Sequence, residues 1–184
     1  EWAAAVVRWE ALATADAEER RPHRNDVYHI YQTLVGAWPA ELVGVGPESL
    51  TVDSLAPFRE RVEAYVIKAI REAKLATSWT DPNEAYEHAA IRLVHGLLDP
   101  ERPFLAEFLP LQARAARLGS LGSVAAQALK LTAPGVSDIY RGAEGWNLAM
   151  ADPDNRRPIA YDALQRALAA DEGRDAVDWS ADAW

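Results

Sequence analysis

The densest run of chemically capable side chains is Asp152-Pro153-Asp154-Asn155-Arg156-Arg157-Pro158, two guanidinium forks, an amide and two carboxylates on a proline-stiffened segment. Planar, pre-organised forks of this kind hydrogen-bond vicinal sugar hydroxyls or an anion. The same residues suit a loop that merely salt-bridges itself together, and the segment alone leaves both readings open. Asp138 and Glu144 lie upstream of Asp152 and Asp154. Paired carboxylates can do glycoside chemistry, one as acid and one as nucleophile or base, but a retaining enzyme needs them ~5–5.5 Å apart. Chain spacing does not fix that distance, and capping or turn roles are the default for such aspartates. Trp146 could stack on the apolar face of a pyranose, whereas Trp2, Trp9 and Trp38 suit a core better.

Glu84, His88 and His95 fall along one side of a helical stretch. A metal there would need a further ligand and supporting shell, and a Glu–His pair four residues apart is more often a surface pair. No metal and no cofactor is expected. His23 and His29 have no recognisable partner in the sequence. There is no phosphate-cradling glycine motif, nucleophile elbow, kinase or zincin signature.

Composition narrows the classes further. The 184 residues suffice for one domain or little more, and 28 acidic against 19 basic side chains leave a net charge of −9. That sign argues against a general nucleic-acid binder and against a polybasic membrane patch. The absence of cysteine excludes disulfides, zinc–thiolate sites, iron–sulfur clusters and a cysteine nucleophile, and is compatible with a cytoplasmic setting. No apolar run approaches the ~20 residues of a membrane span. The chain opens Glu1-Trp2-Ala3 inside a helical pattern and its one methionine is Met150, so a piece of something longer is expected.

The elements that must position these residues are mainly helices. Trp2, Val6, Trp9 and Leu12 or Ala13 mark one helix face over 1–15, and Asn25 is a plausible N-cap for a helix to about Trp38, stopped by Pro39. The longest periodic stretch, 50–76, carries the stripe Phe58, Val62, Tyr65, Val66, Ala69 and Ile70. Asp81 as N-cap, Pro82 and Glu84 predict a helix to Leu98. Another runs from Pro103 to Leu118, with Pro110 a kink or division, and Gly119-Ser120-Leu121-Gly122-Ser123 is expected to break it before a helical 124–131. Val136–Tyr140 reads as one short strand, 145–159 as irregular, and 161–171 as a last helix. The physical reading is a helical domain with a polar, non-helical appendix, where a site would sit.

Several separated motifs resemble one family. Gly135-Val136-Ser137-Asp138-Ile139-Tyr140-Arg141-Gly142-Ala143-Glu144 is similar to the eighth-strand signature of the α-amylase superfamily, and Trp146-Asn147-Leu148 with 152–158 resembles its maltooligosyltrehalose synthase branch. The stretch Tyr28-His29-Ile30-Tyr31-Gln32-Thr33-Leu34-Val35-Gly36-Ala37-Trp38-Pro39 is similar to that branch too. So are Thr77-Ser78-Trp79, Pro82–Glu87 and Ala128–Thr132. The likeness extends from Glu1 to about Leu168; Ser137, Arg141 and Gly145 depart from it, and the tail after Asp171 does not align.

The resemblance implies a mainly α chain: a helical insertion domain over 1–118, then over 119–184 the last strand, loop and helix of a (β/α)8 barrel. It implies an intramolecular transglucosidase that turns the reducing-end α-1,4 linkage of a maltooligosaccharide into an α,α-1,1 linkage. The catalytic carboxylates of such enzymes lie on earlier strands, the last in a His-Asp pair that this sequence lacks, so the isolated chain is expected to be inert. Asp154, Arg156 and Arg157 are the best candidates for sugar contacts, followed by Tyr140, Glu144 and Trp146, with Trp79 lining the reducing-end pocket. The expected partners are a maltooligosaccharide and the remainder of the chain's own barrel, with neither nucleic acid nor membrane. The alternative is a stand-alone helical protein-interaction domain without enzymatic activity.

Overall fold

A computed structural model describes residues 1–14, 21–140 and 145–171. Among the described residues there are six α-helices: α1 (Trp2–Thr14), α2 (Arg24–Ala37), α3 (Val52–Ala73), α4 (Glu84–Leu97), α5 (Phe104–Thr132) and α6 (Tyr161–Asp171). Short 3-10 turns occur at Ala40–Leu42, Pro47–Ser49 and Asp154–Arg156. No helix here is long and apolar enough to cross a membrane.

Local chemistry explains most of the boundaries. Thr51 and Ser54 form a reciprocal capping box at the start of α3, each side chain accepting the other's backbone N–H at 3.1 and 2.9 Å. Trp38 leaves α2 in an extended conformation, as the residue before Pro39 must. Two expected caps are displaced. His23, not Asn25, caps α2, because its Nδ1 accepts from Asn25 N while its own N–H is fixed by Tyr86 Oη at 2.8 Å. Asn83, not Asp81, caps α4 through Oδ1 and Tyr86 N; the backbone of Asp81 is engaged in closing the preceding loop onto Ser78.

The break expected at 119–123 does not occur: α5 runs unbroken through Gly119 and Gly122. A glycine costs only about 1 kcal/mol in a helix interior, and the surrounding alanines and leucines offset it, while Ser120 Oγ donates back to Arg117 O. What changes in this region is packing. Phe104, Leu105, Phe108, Leu109 and Gln112 are buried, whereas from Leu121 onward α5 is exposed. The strand expected at 136–140 is irregular and exposed backbone, since a strand needs a ladder partner and none lies beside it among the described residues.

The core is aromatic. Trp9 meets Tyr31, Phe104 and Phe108 with ring centroids 5.5–5.7 Å apart, and Trp38 packs on Phe58 and Phe108 at 5.3 and 5.2 Å. α3 lies along α4, α1 along α5, and α2 touches both α3 and α5. Leu55, Phe58, Val62, Val66 and Ile70 give α3 its buried stripe, at the spacing read from the sequence. Met150, far along the chain, enters the same core.

Candidate functional site

Beside the buried stripe of α3 runs a row of three cations, Arg61, Lys68 and Arg71, whose 7- and 3-residue spacing keeps them on one side, about two turns and one turn apart. This row organises both polar features that the sequence singles out. Arg61 donates from Nε and Nη2 to the two oxygens of Asp154 at 2.9 and 3.0 Å, and from Nη2 to Leu148 O at 3.0 Å. Lys68 Nζ donates to the Asp152 carbonyl at 2.5 Å. Met150 N donates to Asp154 Oδ2 at 2.7 Å. The segment 148–157 is thus strapped onto α3, pinned at one point by Met150 in the core and at two by cations.

Asp154 is the centre of the strap. Its side chain is 9% exposed and that of Arg61 20%. Burial pushes its carboxyl upward, but the Arg61 fork, the Met150 N–H and the Arg61 and Arg157 charges outweigh that and hold it below the ordinary carboxylate range. Arg157 closes onto the same residue, with Nε 3.3 Å from Oδ1 and donating to the carbonyl at 3.1 Å. Arg156 pairs with Asp152 and otherwise faces solvent. The structure therefore brings Asp152, Asp154, Arg156 and Arg157 together. Asp154 spends its oxygens on holding the strap, while Arg156 and Arg157 stand at its outer surface.

Trp79 sits on the last cation of the row. Arg71 Cζ lies 4.9 Å from its ring centroid, and Arg71 is itself clamped by Glu87, Nε to Oε1 at 2.8 Å and Nη2 to Oε2 at 2.6 Å. Thr77 Oγ1 also donates to Glu87 Oε1 at 2.6 Å and accepts from Asn83 N at 2.9 Å, tying the loop to the start of α4. The Arg71 hydrogen bonds lower the Glu87 pKa despite burial, with Thr77 adding to the effect. One face of Trp79 is covered and the residue remains 56% exposed. Trp79 meets α3 at Arg71, three residues beyond the strap's anchor at Lys68 and ten beyond that at Arg61, about 4.5 and 15 Å along the helix.

The other candidates are placed more loosely. Tyr140 is exposed and makes no hydrogen bond or ring contact among the described residues. Glu144 lies outside the described residues. Trp146 is 54% exposed and, with Leu148, walls a half-open pocket of about 490 Å3 lined also by the end of α2, by Ala40, Val43 and Gly44, and by the middle of α5. Of the histidines, His29 Nε2 is 3.2 Å from Tyr65 Oη and His95 Nε2 is 2.7 Å from Glu63 Oε1. No three His, Asp or Glu side chains are grouped to hold a metal among the described residues. Arg61, Lys68, Arg71 and Glu87 are the residues that sequence reasoning missed. Their signal was the cation row beside the α3 stripe, which points to no target until the strap and α4 are folded against it.

Fold and site together define a mainly α-helical segment that presents a cation-anchored polar strap beside a tryptophan-walled cavity. No family model matches the chain. Over 171 residues, 92% of this chain, it is 35% identical to proteins of two Mycobacterium tuberculosis strains, CDC 1551 and H37Rv, that carry the name maltooligosyl trehalose synthase. Among solved structures, a maltooligosyl trehalose synthase matches 95% of the chain at 30% identity and a TM-score of 0.79. The Arthrobacter ramosus enzyme matches 95% at 32% identity and 0.73. The chain is similar over nearly all of its length to one segment of the maltooligosyltrehalose synthases, and spans only 20–22% of those proteins.

Proposed function

We propose that this chain acts as a segment of an intramolecular transglucosidase of the maltooligosyltrehalose synthase type. The observation that carries the reading is a likeness in sequence and fold along nearly the whole chain, at 30–35% identity, to proteins of that name. In such an enzyme a carboxylate nucleophile displaces the reducing-end glucose and holds the rest of the oligosaccharide as a covalent glycosyl ester. The freed glucose must be retained, turned, and made to attack through its anomeric hydroxyl, giving the α,α-1,1 linkage. Water in the site would divert the ester to hydrolysis.

In this reading the chain supplies the walls that retain the glucose. Arg156 and Arg157 offer forks to sugar hydroxyls, Asp154 fixes the strap that carries them, Trp79, Trp146 and Tyr140 offer ring faces, and Glu144 is a further candidate contact. Nucleophile and general acid/base belong to the remainder of the barrel. Residues 1–118 are the helical insertion and 119–184 the last barrel unit. Leu121, Val124, Leu129 and Leu131, all exposed on the second half of α5, give the barrel an apolar face to cover.

Two assays test this. Purified alone, the chain is expected to form no trehalose cap on maltopentaose; cap formation would overturn the division of labour. Exchanged for the matching segment of the Arthrobacter ramosus synthase, it is expected to give an active chimera, with Arg156→Ala or Arg157→Ala raising KM. A folded but inactive chimera would refute the assignment.

A further inference from the structure

Trp79 has tightly fixed surroundings and an open ring. Ser78 N donates to Asp81 O at 3.1 Å and Asp81 N to Ser78 Oγ at 2.9 Å, which leaves Trp79 and Thr80 as the tip of a closed turn. Asn83 Nδ2 donates to Ala76 O at 3.2 Å and ties the two ends of the loop together. The ring lies on the Arg71 guanidinium, 4.9 Å from Cζ to centroid, with 56% of the residue exposed. Trp146, 54% exposed, has no hydrogen bond, ion pair or ring contact among the described residues.

The Arg71 plane is set in turn from α4. Glu87 meets Nε and Nη2 along one edge of the guanidinium, and two such bonds hold fork and carboxylate in a common plane. Thr77 Oγ1 donates to Oε1 as well, so Glu87 cannot rotate without breaking a third bond. Glu87 is 6% exposed and Thr77 4%. A buried ion pair is weak evidence of stability, because desolvation offsets much of the attraction; what this one fixes is geometry. A clamp serving only to join α3 to α4 would need neither the indole nor the closed turn, and burying the ring would stabilise more than stacking it half open. A ring kept open on a rigid support is pre-organised for a contact on its free face.

We propose that Glu87 and Arg71 are positioning residues for the transglucosidase: they hold Trp79 in the orientation that confines the freed glucose, and so set how that glucose divides between attack and escape. Retained, its anomeric hydroxyl displaces the enzyme carboxylate at the glycosyl carbon and gives its proton to the general base. Escaped, it is replaced by water, and the products are glucose and an oligosaccharide one unit shorter. This rests on the reading above, in which Trp79 walls the reducing-end pocket, and adds two residues that act through that ring.

The test measures free glucose against trehalose-capped product from maltopentaose in the Arthrobacter ramosus chimera. Glu87→Gln, and Arg71→Lys, which keeps the charge but not the planar fork, should each raise the glucose share about two- to fivefold, the scale of one exposed cation–π contact. Trp79→Ala should raise it at least as far, and the sum of the two products should stay nearly constant throughout. Glu87→Gln added to Trp79→Ala should change nothing more, since it works through the ring. Arg71→Lys serves if Glu87→Gln fails to fold. In the 184-residue chain the Trp79 indole N–H, assigned with Trp79→Phe, should lose order in Glu87→Gln by relaxation measurements. The proposal is overturned by an equally ordered ring, by a product ratio that ignores Trp79 or both clamp residues, by both products falling together, or by a full further shift in the double variant. An inactive parent chimera means the family assignment fails; an active one whose ratio ignores Glu87 and Arg71 means the positioning role alone fails.

Discussion

Replacing Asp154 by Asn removes the charge that holds the strap and turns one acceptor into a donor facing the Arg61 fork. Asp154 accepts from Arg61 twice, at 2.9 and 3.0 Å, and from Met150 N at 2.7 Å. Hydrogen bonds to charged groups contribute ~1.5–3 kcal/mol each, and breaking a buried pair from one side costs ~3–5 kcal/mol. Arg61 keeps its bond to Leu148 O and a side chain 20% exposed, so it is partly rehydrated and the lower figure applies. The expected loss is about 2–3 kcal/mol. If the strap unfolds with the domain, Tm falls by roughly 5–10 °C. If it opens locally, amide exchange at Met150 accelerates roughly 30- to 150-fold while helical circular dichroism is kept. A double-mutant cycle with Arg61→Met should give a coupling of at least ~1.5 kcal/mol. The reasoning is refuted if Asp154→Asn stays within ~0.5 kcal/mol of the parent and Met150 exchange is unchanged.

Acid titration checks the same residue and others. The Asp154 carboxyl is depressed below its unfolded value of ~3.9, so its stabilisation is complete above that pH and is lost as pH falls through the folded value; Asp154→Asn should flatten that acid limb. Glu87→Gln should cost ~1–3 kcal/mol by urea unfolding, since an amide cannot serve Arg71 and Thr77 as the carboxylate does. Burial pushes the Tyr31 and Tyr86 phenols up to about 12, with the Asp26 hydrogen bond also raising Tyr86. Ultraviolet titration should find two tyrosines still protonated above pH ~10, with stability declining from there as the unfolded chain ionises first. Gly122→Ala on α5, where a Cβ would meet nothing within 4 Å, should stabilise the isolated chain by ~0.5–1 kcal/mol; destabilisation would contradict a continuous exposed helix there.

What the sequence alone determined is what local chemistry governs. The period of Phe58, Val62, Val66 and Ile70 drew the buried face of α3, Pro39 ended α2, and the cluster at 152–158 marked the polar segment, because each signal is carried by residues within a few positions of one another. The separated motifs added the likeness to the maltooligosyltrehalose synthases, since their order along the chain is itself information. The tertiary structure decided the rest. Gly119 and Gly122 looked like breakers, yet nothing in the fold required α5 to turn there. His23 took a cap from Asn25 because Tyr86, on another helix, fixes its backbone N–H. For Asp154 the residues alone left a sugar contact and a salt-bridged loop both open, and only the fold shows its oxygens accepting from Arg61, 93 residues earlier in the chain. Pairings at that separation depend on how α3 is rotated against the strap, and that rotation is set by Phe58, Met150 and the other buried groups of a shared core.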